Sequence, residues 1–256
     1  MNVVVLGGSA AGPNTGAGCS GYLIMNDNTS VVLDMGPGTL PELRKHVNYR
    51  SVSAIVISHC HLDHILDLGA LCYLVKYNPA TMDRKIPLHV PPGGKALLDR
   101  WGPAFGHAHE REFLDSVFDI AEYDPERSLD IESINIRFAP VVHPLTGWAM
   151  RVSTGVSGDV GYTADTGPTA DLAGFFHGVS LLVCEATEPD GVTDSPETRG
   201  HMTATEAGRL AMDSDAKALI LTHIWEETGQ DQAVQGAAVE FNGPIMIARP
   251  GLTVHV

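Results

Sequence analysis

The sequence predicts an α/β protein built as a four-layer αββα sandwich, and three observations support this fold class. Short apolar segments rich in Val, Ile and Leu recur along the 256-residue chain, and helix-like segments lie between them. Many of the strand-like segments are apolar at nearly every position, as strands covered on both faces are. The chain contains no low-complexity tract, linker or apolar run of membrane length. Two mixed sheets with helices outside would bury these strands, so one domain over residues 1–256 is predicted.

The first half of the chain supplies elements for one sheet and its helices. Each predicted strand is an aliphatic run bounded by turn-forming residues, and each predicted helix repeats apolar residues every three or four positions. In chain order these are strands 3–6, 21–25 and 31–34, helix 40–46, a strand around Ile55, a helix after His64, strand 87–90 and helix 95–101.

The second half repeats this alternation. The helix that begins at Thr203 has the clearest start, because Thr203 and Glu206 form a capping-box pattern. The predicted elements are strands 134–139, 148–152 and 161–164, helix 170–176, strand 180–184, the helix from Thr203, strand 218–221, helix 231–241 and strand 244–247.

The most informative motif is the hexapeptide His59-Cys60-His61-Leu62-Asp63-His64, which follows an apolar run at 54–57. Its three histidines and one aspartate would lie at the carboxyl end of a strand. Neutral imidazoles with a carboxylate suit zinc, iron or manganese, whereas calcium prefers oxygen ligands. A surface loop that merely collects histidines is the alternative, and the density of metal-binding side chains argues against it.

Three further residues follow strand-like segments in the same way: His143, Asp165 and His223. Strand ends that meet at one edge of a sheet gather side chains that are distant in sequence. Each of these residues alone is more often an ordinary core or surface residue. Together with the hexapeptide, they indicate one metal centre.

In this order, Asp34, the hexapeptide, His143, Asp165 and His223 resemble the landmarks of the metallo-β-lactamase superfamily. The resemblance implies two divalent metal ions, with zinc expected first and manganese or iron as the other candidates. It also implies that Asp34 orients a ligand imidazole through its second ring nitrogen. By this resemblance, one ion would be held by His59, His61 and His143, the other by Asp63, His64 and His223, and Asp165 would bridge them.

Two further elements resemble the ribonuclease Z-like phosphodiesterases: Gly200-His201-Met202-Thr203-Ala204-Thr205-Glu206-Ala207 and Glu185-Ala186-Thr187. The resemblance implies that His201 assists the leaving group and that Glu185 holds His201, while Asp63 is a ligand that can also receive a proton. The alternative for His201 is that it simply precedes the capped helix.

The tRNA-binding arm of ribonuclease Z has no counterpart here, because only residues 144–164 separate His143 from Asp165, and they read as two strands. Lys and Arg total 16 against 31 Asp and Glu, a net charge of −15. Nucleic-acid binders normally carry a basic patch, so the composition favours a small substrate.

The chain most resembles the armless cyclic-nucleotide phosphodiesterases, from residues 5–9 and 20–23 to 241–244. This implies hydrolysis of a 3′,5′-cyclic nucleotide, cyclic AMP first, to the 5′-monophosphate by a metal-bridging hydroxide, in a homodimer. Tyr73, Tyr77 and the loop 105–109 are candidates for base contacts, although each is more often core or lid.

Three alternative functions stay open: a ribonuclease Z-like nuclease acting on RNA 3′ ends, a lactone or thioester hydrolase, and a non-catalytic metal or nucleotide sensor. The pair of Glu185 and His201 argues against the carbonyl hydrolases, and the full ligand set argues against the sensor. Four cysteines without CxxC spacing and a strand that begins directly after Met1 predict a cytoplasmic protein that does not engage a membrane.

Overall fold

Two seven-stranded sheets form the centre of the part of the chain that the computed structural model describes, residues 1–105 and 113–256. The first sheet has the order β14-β1-β2-β3-β4-β5-β6, and its strands are β1 (Asn2–Gly7), β2 (Gly21–Asn26), β3 (Thr29–Leu33), β4 (Ala54–Val56), β5 (Ile86–Val90), β6 (Phe118–Glu122) and β14 (Thr253–His255). The second has the order β13-β12-β11-β10-β9-β8-β7, and its strands are β7 (Leu129–Ile131), β8 (Ile134–Pro140), β9 (Trp148–Ser153), β10 (Val160–Tyr162), β11 (Leu181–Glu185), β12 (Leu219–Thr222) and β13 (Ile245–Ile247).

The two sheets share one pattern of strand directions. In the first sheet the ladders from β14 to β3 are antiparallel, and those from β3 to β6 are parallel. In the second sheet the ladders from β7 to β10 are antiparallel, and those from β10 to β13 are parallel. Parallel strands end on the same side, so each sheet offers a set of neighbouring carboxyl ends at which loops can carry functional residues.

Helices cover the outer faces of both sheets. Leu43 and Leu71 share a core cluster with Ile55 of β4, whereas Ala207 and Ala237 share another with Leu221 of β12. The helices are α1 (Thr39–His46), α2 (Leu62–Ile65), α3 (Asp67–Lys76), α4 (Gly94–Leu98), α5 (Trp101–Ala104), α6 (Ala204–Asp213) and α7 (Gln230–Ala237).

A third core cluster fills the space between the sheets. It joins Val5 and Val56 of the first sheet to Val152 and Val183 of the second. Strands in this position are covered on both faces, which explains why their sequences are apolar without alternation. The three clusters separate four layers, and they confirm the predicted αββα sandwich. Among the described residues, no helix is long and apolar enough to cross a membrane.

Three of the predicted helices differ from the structure. The one predicted at 231–241 ends early, because α7 stops at Ala237 and turns follow. The helix predicted at 170–176 is wrong: the segment forms turns, and the backbone hydrogen bond from Phe176 to Leu172 marks a single helical turn. Leu172 and Phe176 are buried and gave the segment its helical spacing, but Gly174 and Gly178 favour turns over helix propagation. The helix predicted at 95–101 is divided into α4 and α5, and strands β6, β7 and β14 lacked a clear signal.

Candidate metal centre

The predicted ligands collect where strands of the two sheets end. Asp34 directly follows β3, His59 lies shortly after β4, Asp165 shortly after β10 and His223 directly after β12. His143 comes from the segment after β8, beside the hairpin of β9 and β10. The layered fold therefore places residues from both halves of the chain at one edge.

The ligands form two groups that share Asp165. The possible ligand atoms within each group all lie within 4.8 Å of one another. Oδ2 of Asp165 is 3.6 Å from Nε2 of His59 and 3.4 Å from Nε2 of His223, so this carboxylate faces both groups. The first group is His59, His61, His143 and Asp165, and the second is Asp63, His64, Asp165 and His223.

Ring nitrogen atoms of three histidines converge in the first group. Nδ1 of His61 lies 3.2 Å from Nε2 of His59 and 3.0 Å from Nε2 of His143. The other ring nitrogen of His143, Nδ1, is 2.9 Å from the carbonyl oxygen of Gly200 and donates to it. That hydrogen bond leaves Nε2 of His143 with a lone pair directed at the other imidazoles, as a metal ligand requires.

Asp34 is a fully buried carboxylate that orients two of the imidazoles. Its Oδ2 accepts a hydrogen bond from Nδ1 of His64 at 2.8 Å and from the Ser58 hydroxyl at 2.7 Å. The Ser58 hydroxyl oxygen lies 3.0 Å from Nδ1 of His59 and can accept its proton. Asp34 thus acts on His64 directly and on His59 through Ser58, and both rings turn Nε2 toward the metal groups.

Glu185 is a second buried carboxylate, and it orients imidazoles on the other side of the metal centre. Its Oε1 lies 2.9 Å from Nδ1 of His201, and its Oε2 accepts the Thr187 hydroxyl at 2.7 Å. The Thr187 oxygen is in turn 2.6 Å from Nδ1 of His223. Glu185 therefore holds His201 directly and His223 through Thr187.

His201 lies at the edge of the metal groups and keeps contact with solvent. Its side chain is 25% exposed, whereas that of Glu185 is 1% exposed. The imidazole stacks on His223 with ring centroids 5.5 Å apart and planes at 14°. A capping box between Thr203 and Glu206 also starts α6, so the structure contains both features that the sequence offered as alternatives.

The charges at the centre compensate one another. Burial raises the pKa of Asp63, but hydrogen bonds from His223 and His64 outweigh burial and hold it well below its usual range. Burial likewise lowers the pKa of His64, yet the carboxylates of Asp165 and Asp34 bring it well above the usual value. For His201, burial is outweighed by the hydrogen bond and charge of Glu185, which raise the pKa to about 9.

These residues fit a divalent metal ion. Nε2 of His64 is buried and has no hydrogen-bond partner among the described residues, although it lies 3.2 Å from Oδ1 of Asp165 and 3.5 Å from Oδ2 of Asp63. A lone buried nitrogen facing two carboxylates is costly unless a cation joins them. Imidazole and carboxylate donors are also the set that zinc, iron and manganese accept.

The backbone at three strand ends is left-handed without glycine. The φ angles are 57° at Asp34, 52° at Ala164 and 55° at His223. L-residues adopt this region at a cost of about 1–2 kcal/mol each. The turns point the side chains of Asp34 and His223 inward and place Asp165 after its own sharp turn.

Sequence reasoning missed three residues that support the ligands: Ser58, Tyr162 and Thr187. Ser58 directly precedes His59, and Thr187 belongs to the element Glu185-Ala186-Thr187, so their positions in the sequence were the available signal. The hydroxyl of Tyr162 reaches Asp34 from a distant strand, which no local pattern indicates. Of the predicted base-contact candidates, Tyr73 and Tyr77 lie on and just after α3 with exposed side chains, while the loop at 105–109 lies outside the described residues after Phe105.

The family assignment rests on a match over most of the chain. The family model described as "Beta-lactamase superfamily domain" matches residues 29–224, which contain every ligand named above. The chain belongs to the beta-lactamase superfamily. Between His143 and Asp165 this member has only the hairpin of β9 and β10, so the predicted absence of an arm is confirmed.

Three relatives illustrate this membership. Uncharacterized protein Rv1339 of Mycobacterium tuberculosis is 31% identical over 96% of this chain and 88% of its own length. Probable metallo-hydrolase YhfI of Bacillus subtilis is 30% identical over 98% of both chains, and its crystal structure gives a TM-score of 0.86 at 26% identity, covering 99% of this chain and 98% of that one. Ribonuclease Z of Haloferax volcanii is 25% identical over 100% of this chain and 95% of its own. The predicted family, its ribonuclease Z-like branch and a metal-dependent hydrolase are thereby confirmed.

Replacing His64 should remove metal from the centre. We expect His64→Ala to lose about half of the bound metal and nearly all hydrolytic activity, because Nε2 of His64 faces both carboxylates of its group. His64→Asn is a second variant that also lacks Nε2, but its side-chain amide can still donate a hydrogen bond to Asp34. Elemental analysis after dialysis measures the loss, and His177→Ala, an exposed histidine, is the matched control. Wild-type metal content in both His64 variants would contradict the assignment.

Proposed function

We propose that this protein is a binuclear metal-dependent phosphodiesterase that hydrolyses a small phosphodiester, with 3′,5′-cyclic AMP as the expected substrate. The observation that carries the proposal is the placement of His201. It lies beside both metal groups, is held at 2.9 Å by the buried Glu185 and remains open to solvent. A thioester hydrolase needs such an acid less, because a thiolate leaves as a stable anion, whereas the 3′-alkoxide of a cyclic nucleotide leaves well only when it is protonated.

Two ions are proposed, one on each group, with zinc as the first candidate and manganese or iron as the others. His59, His61 and His143 would hold one ion, Asp63, His64 and His223 the other, and Asp165 would bridge them. When bound, the ions supply Lewis acidity, because they lower the pKa of water and offset the charge of the phosphate oxygens.

The chain's own residues would move the protons. With a pKa raised to about 9 by Glu185, His201 is protonated at neutral pH and can donate to the departing 3′-oxygen. Glu185 keeps Nδ1 of His201 as the donor to itself and so presents Nε2 to the substrate. Asp63 is ionised, because its pKa is held well below its usual range, which suits a metal ligand and makes its carboxylate a weak proton acceptor.

The shape and charge of the protein support a small substrate rather than a nucleic acid. The short hairpin of β9 and β10 stands where an RNA-gripping arm would be inserted. The net charge of −15 opposes the approach of a polyanion, whereas a compact cyclic diester carries one charge that a metal pair can offset.

A ribonuclease Z-like activity on RNA 3′ ends is the second candidate. The match to Ribonuclease Z of Haloferax volcanii over 100% of this chain favours it. It would use the same ligands and the same His201. The two candidates therefore differ in the substrate that reaches the centre and not in the chemistry.

Turnover by purified, metal-quantified protein tests the proposal. We expect hydrolysis of cyclic AMP to 5′-AMP and of bis(p-nitrophenyl) phosphate, each dependent on added Zn²⁺ or Mn²⁺. A tRNA precursor with a 3′ extension serves as the third substrate. Cleavage of the precursor without cyclic AMP would replace the first candidate by the second, and cleavage of no diester would overturn both.

The role of His201 predicts a dependence on the leaving group. We expect His201→Ala to keep its metal but to lose at least about 100-fold in kcat on cyclic AMP, because the 3′-alkoxide leaves poorly without a proton. On bis(p-nitrophenyl) phosphate the loss should be much smaller, since p-nitrophenolate is a stable anion. Glu185→Gln should resemble His201→Ala. Equal kcat for the metal-replete variant and the wild type on cyclic AMP would exclude this role.

A homodimer is proposed as well, as the family resemblance implies. One face of α2 and α3 exposes large apolar side chains near the metal centre: Leu62, Leu66, Tyr73 and, just beyond the end of α3, Tyr77. Exposed apolar side chains that recur at helical spacing are typical of an interface between copies of a chain. The four cysteines show no CxxC spacing, which agrees with the cytoplasmic location that we also keep as a proposal.

Light scattering after size exclusion tests the dimer. We expect wild-type protein to elute as a dimer, and Leu66→Glu with Tyr77→Glu to elute as a monomer, because charges would be buried at the interface. Val239→Glu is the matched control, since Val239 is exposed and lies beyond α7. A monomeric wild type, or a double variant that remains dimeric, would refute this interface.

A further inference from the structure

Tyr162 joins the two sheets at the metal centre. It is the last residue of β10 in the second sheet and is fully buried. Its hydroxyl donates a hydrogen bond of 2.6 Å to Oδ2 of Asp34, which follows β3 of the first sheet. Burial and the charge of Asp34 raise the pKa of Tyr162 well above its usual value, so the hydroxyl remains a donor.

Asp34 depends on its donors because its charge is completely removed from water. The Ser58 backbone N–H donates to Oδ1 at 2.7 Å, and Oδ2 receives the Ser58 hydroxyl, Nδ1 of His64 and the Tyr162 hydroxyl. Among the described residues, Tyr162 is the one donor that comes from the second sheet. Its bond to the carboxylate is short and charge-assisted, a type of hydrogen bond that is stronger than one between neutral groups.

A second tyrosine supplies a natural comparison. Tyr22 of β2 lies in the first sheet, and its hydroxyl is 2.5 Å from the Thr222 hydroxyl of the second sheet. The two tyrosine rings pack together with centroids 4.8 Å apart. Both residues thus make a buried hydrogen bond across the sheets, but only Tyr162 bonds to a carboxylate that holds a predicted ligand.

We propose that Tyr162 is a positioning residue, whose hydroxyl fixes Asp34 so that Nε2 of His64 points at the metal ion that it shares with Asp63 and His223. Through this bond the second sheet, which carries Asp165 and His223, sets the position of a ligand from the first sheet. The two groups of ligands are thereby held in the correct relative position before a metal ion binds. The inference rests on the proposed pair of ions but not on the substrate.

Loss of the Tyr162 hydroxyl should weaken the metal ion at His64 more than the other ion. Without it, Oδ2 of Asp34 keeps two donors, both from the first sheet, and the carboxylate can turn with His64. Partners that orient metal-binding histidines typically change affinity by about 10- to 100-fold when they are replaced. We expect this loss for the metal ion at His64, and a smaller loss for the ion at His59, His61 and His143, because Asp34 reaches His59 only through Ser58.

Cobalt titration of the metal-free protein provides the test. Tyr162→Phe and Tyr22→Phe are titrated with Co²⁺ against a chromophoric chelator, and the visible d–d absorption is recorded for each equivalent. Thermal melting of the metal-free proteins checks that each variant folds. We expect Tyr162→Phe to weaken one equivalent by about 10- to 100-fold and to alter its absorption, while Tyr22→Phe binds both as the wild type does.

A double-variant cycle separates positioning from general packing. In an Asp34→Asn background, Tyr162→Phe should cause little further loss of metal affinity, because the carboxylate through which it acts is gone. Unchanged binding in Tyr162→Phe, equal losses in Tyr162→Phe and Tyr22→Phe, or full additivity with Asp34→Asn would each overturn the inference. A wild type that binds no metal would instead overturn the proposed function.

Discussion

Buried negative charge is the constraint on which the metal centre depends. The carboxylates of Asp34, Asp63, Asp165 and Glu185 are all withdrawn from solvent at one edge of the sandwich. An ionised carboxylate is tolerated there only when donors or cations surround it. Imidazole groups of the histidines lie against these carboxylates, and hydroxyl and backbone N–H groups donate further hydrogen bonds to them. Each carboxylate is then fixed in orientation. His64 and His201 take their direction from Asp34 and Glu185, whereas His143 is oriented by the Gly200 carbonyl.

The division of work among these carboxylates follows from the two matching sheets. Asp34 directly follows a strand of the first sheet and orients ligands of the hexapeptide, whereas Glu185 ends a strand of the second sheet and orients His201 and His223. Asp165 lies between the two groups and faces both. The parallel halves of the sheets bring these ends together without long loops. The centre is thus a property of strand order as much as of the motif itself.

The parts of the fold and of the site that could be predicted were those with a local pattern in the sequence. The hexapeptide and the strand ends before His143, Asp165 and His223 could be located because ligand chemistry and apolar runs coincide there. Strand β7 could not, because its three residues carry too short a pattern, and the false helix at 170–176 arose because two buried anchors happened to have helical spacing. The contacts of Tyr162 and Thr187 required the third dimension, since Asp34 and His223, their respective partners, are remote in sequence.

The left-handed backbone at Asp34, Ala164 and His223 lowers the stability of the fold at positions that shape the metal centre. Glycine would relieve the conformational cost at each of these positions, and at Ala164 it would do so by deleting a single methyl group. At Asp34 and His223 the same replacement would delete the side chains that build the centre. Selection for heat resistance alone would therefore favour glycine at positions beside the metal centre. Asp34 and His223 would have to be excluded from such a selection in order to keep an active enzyme.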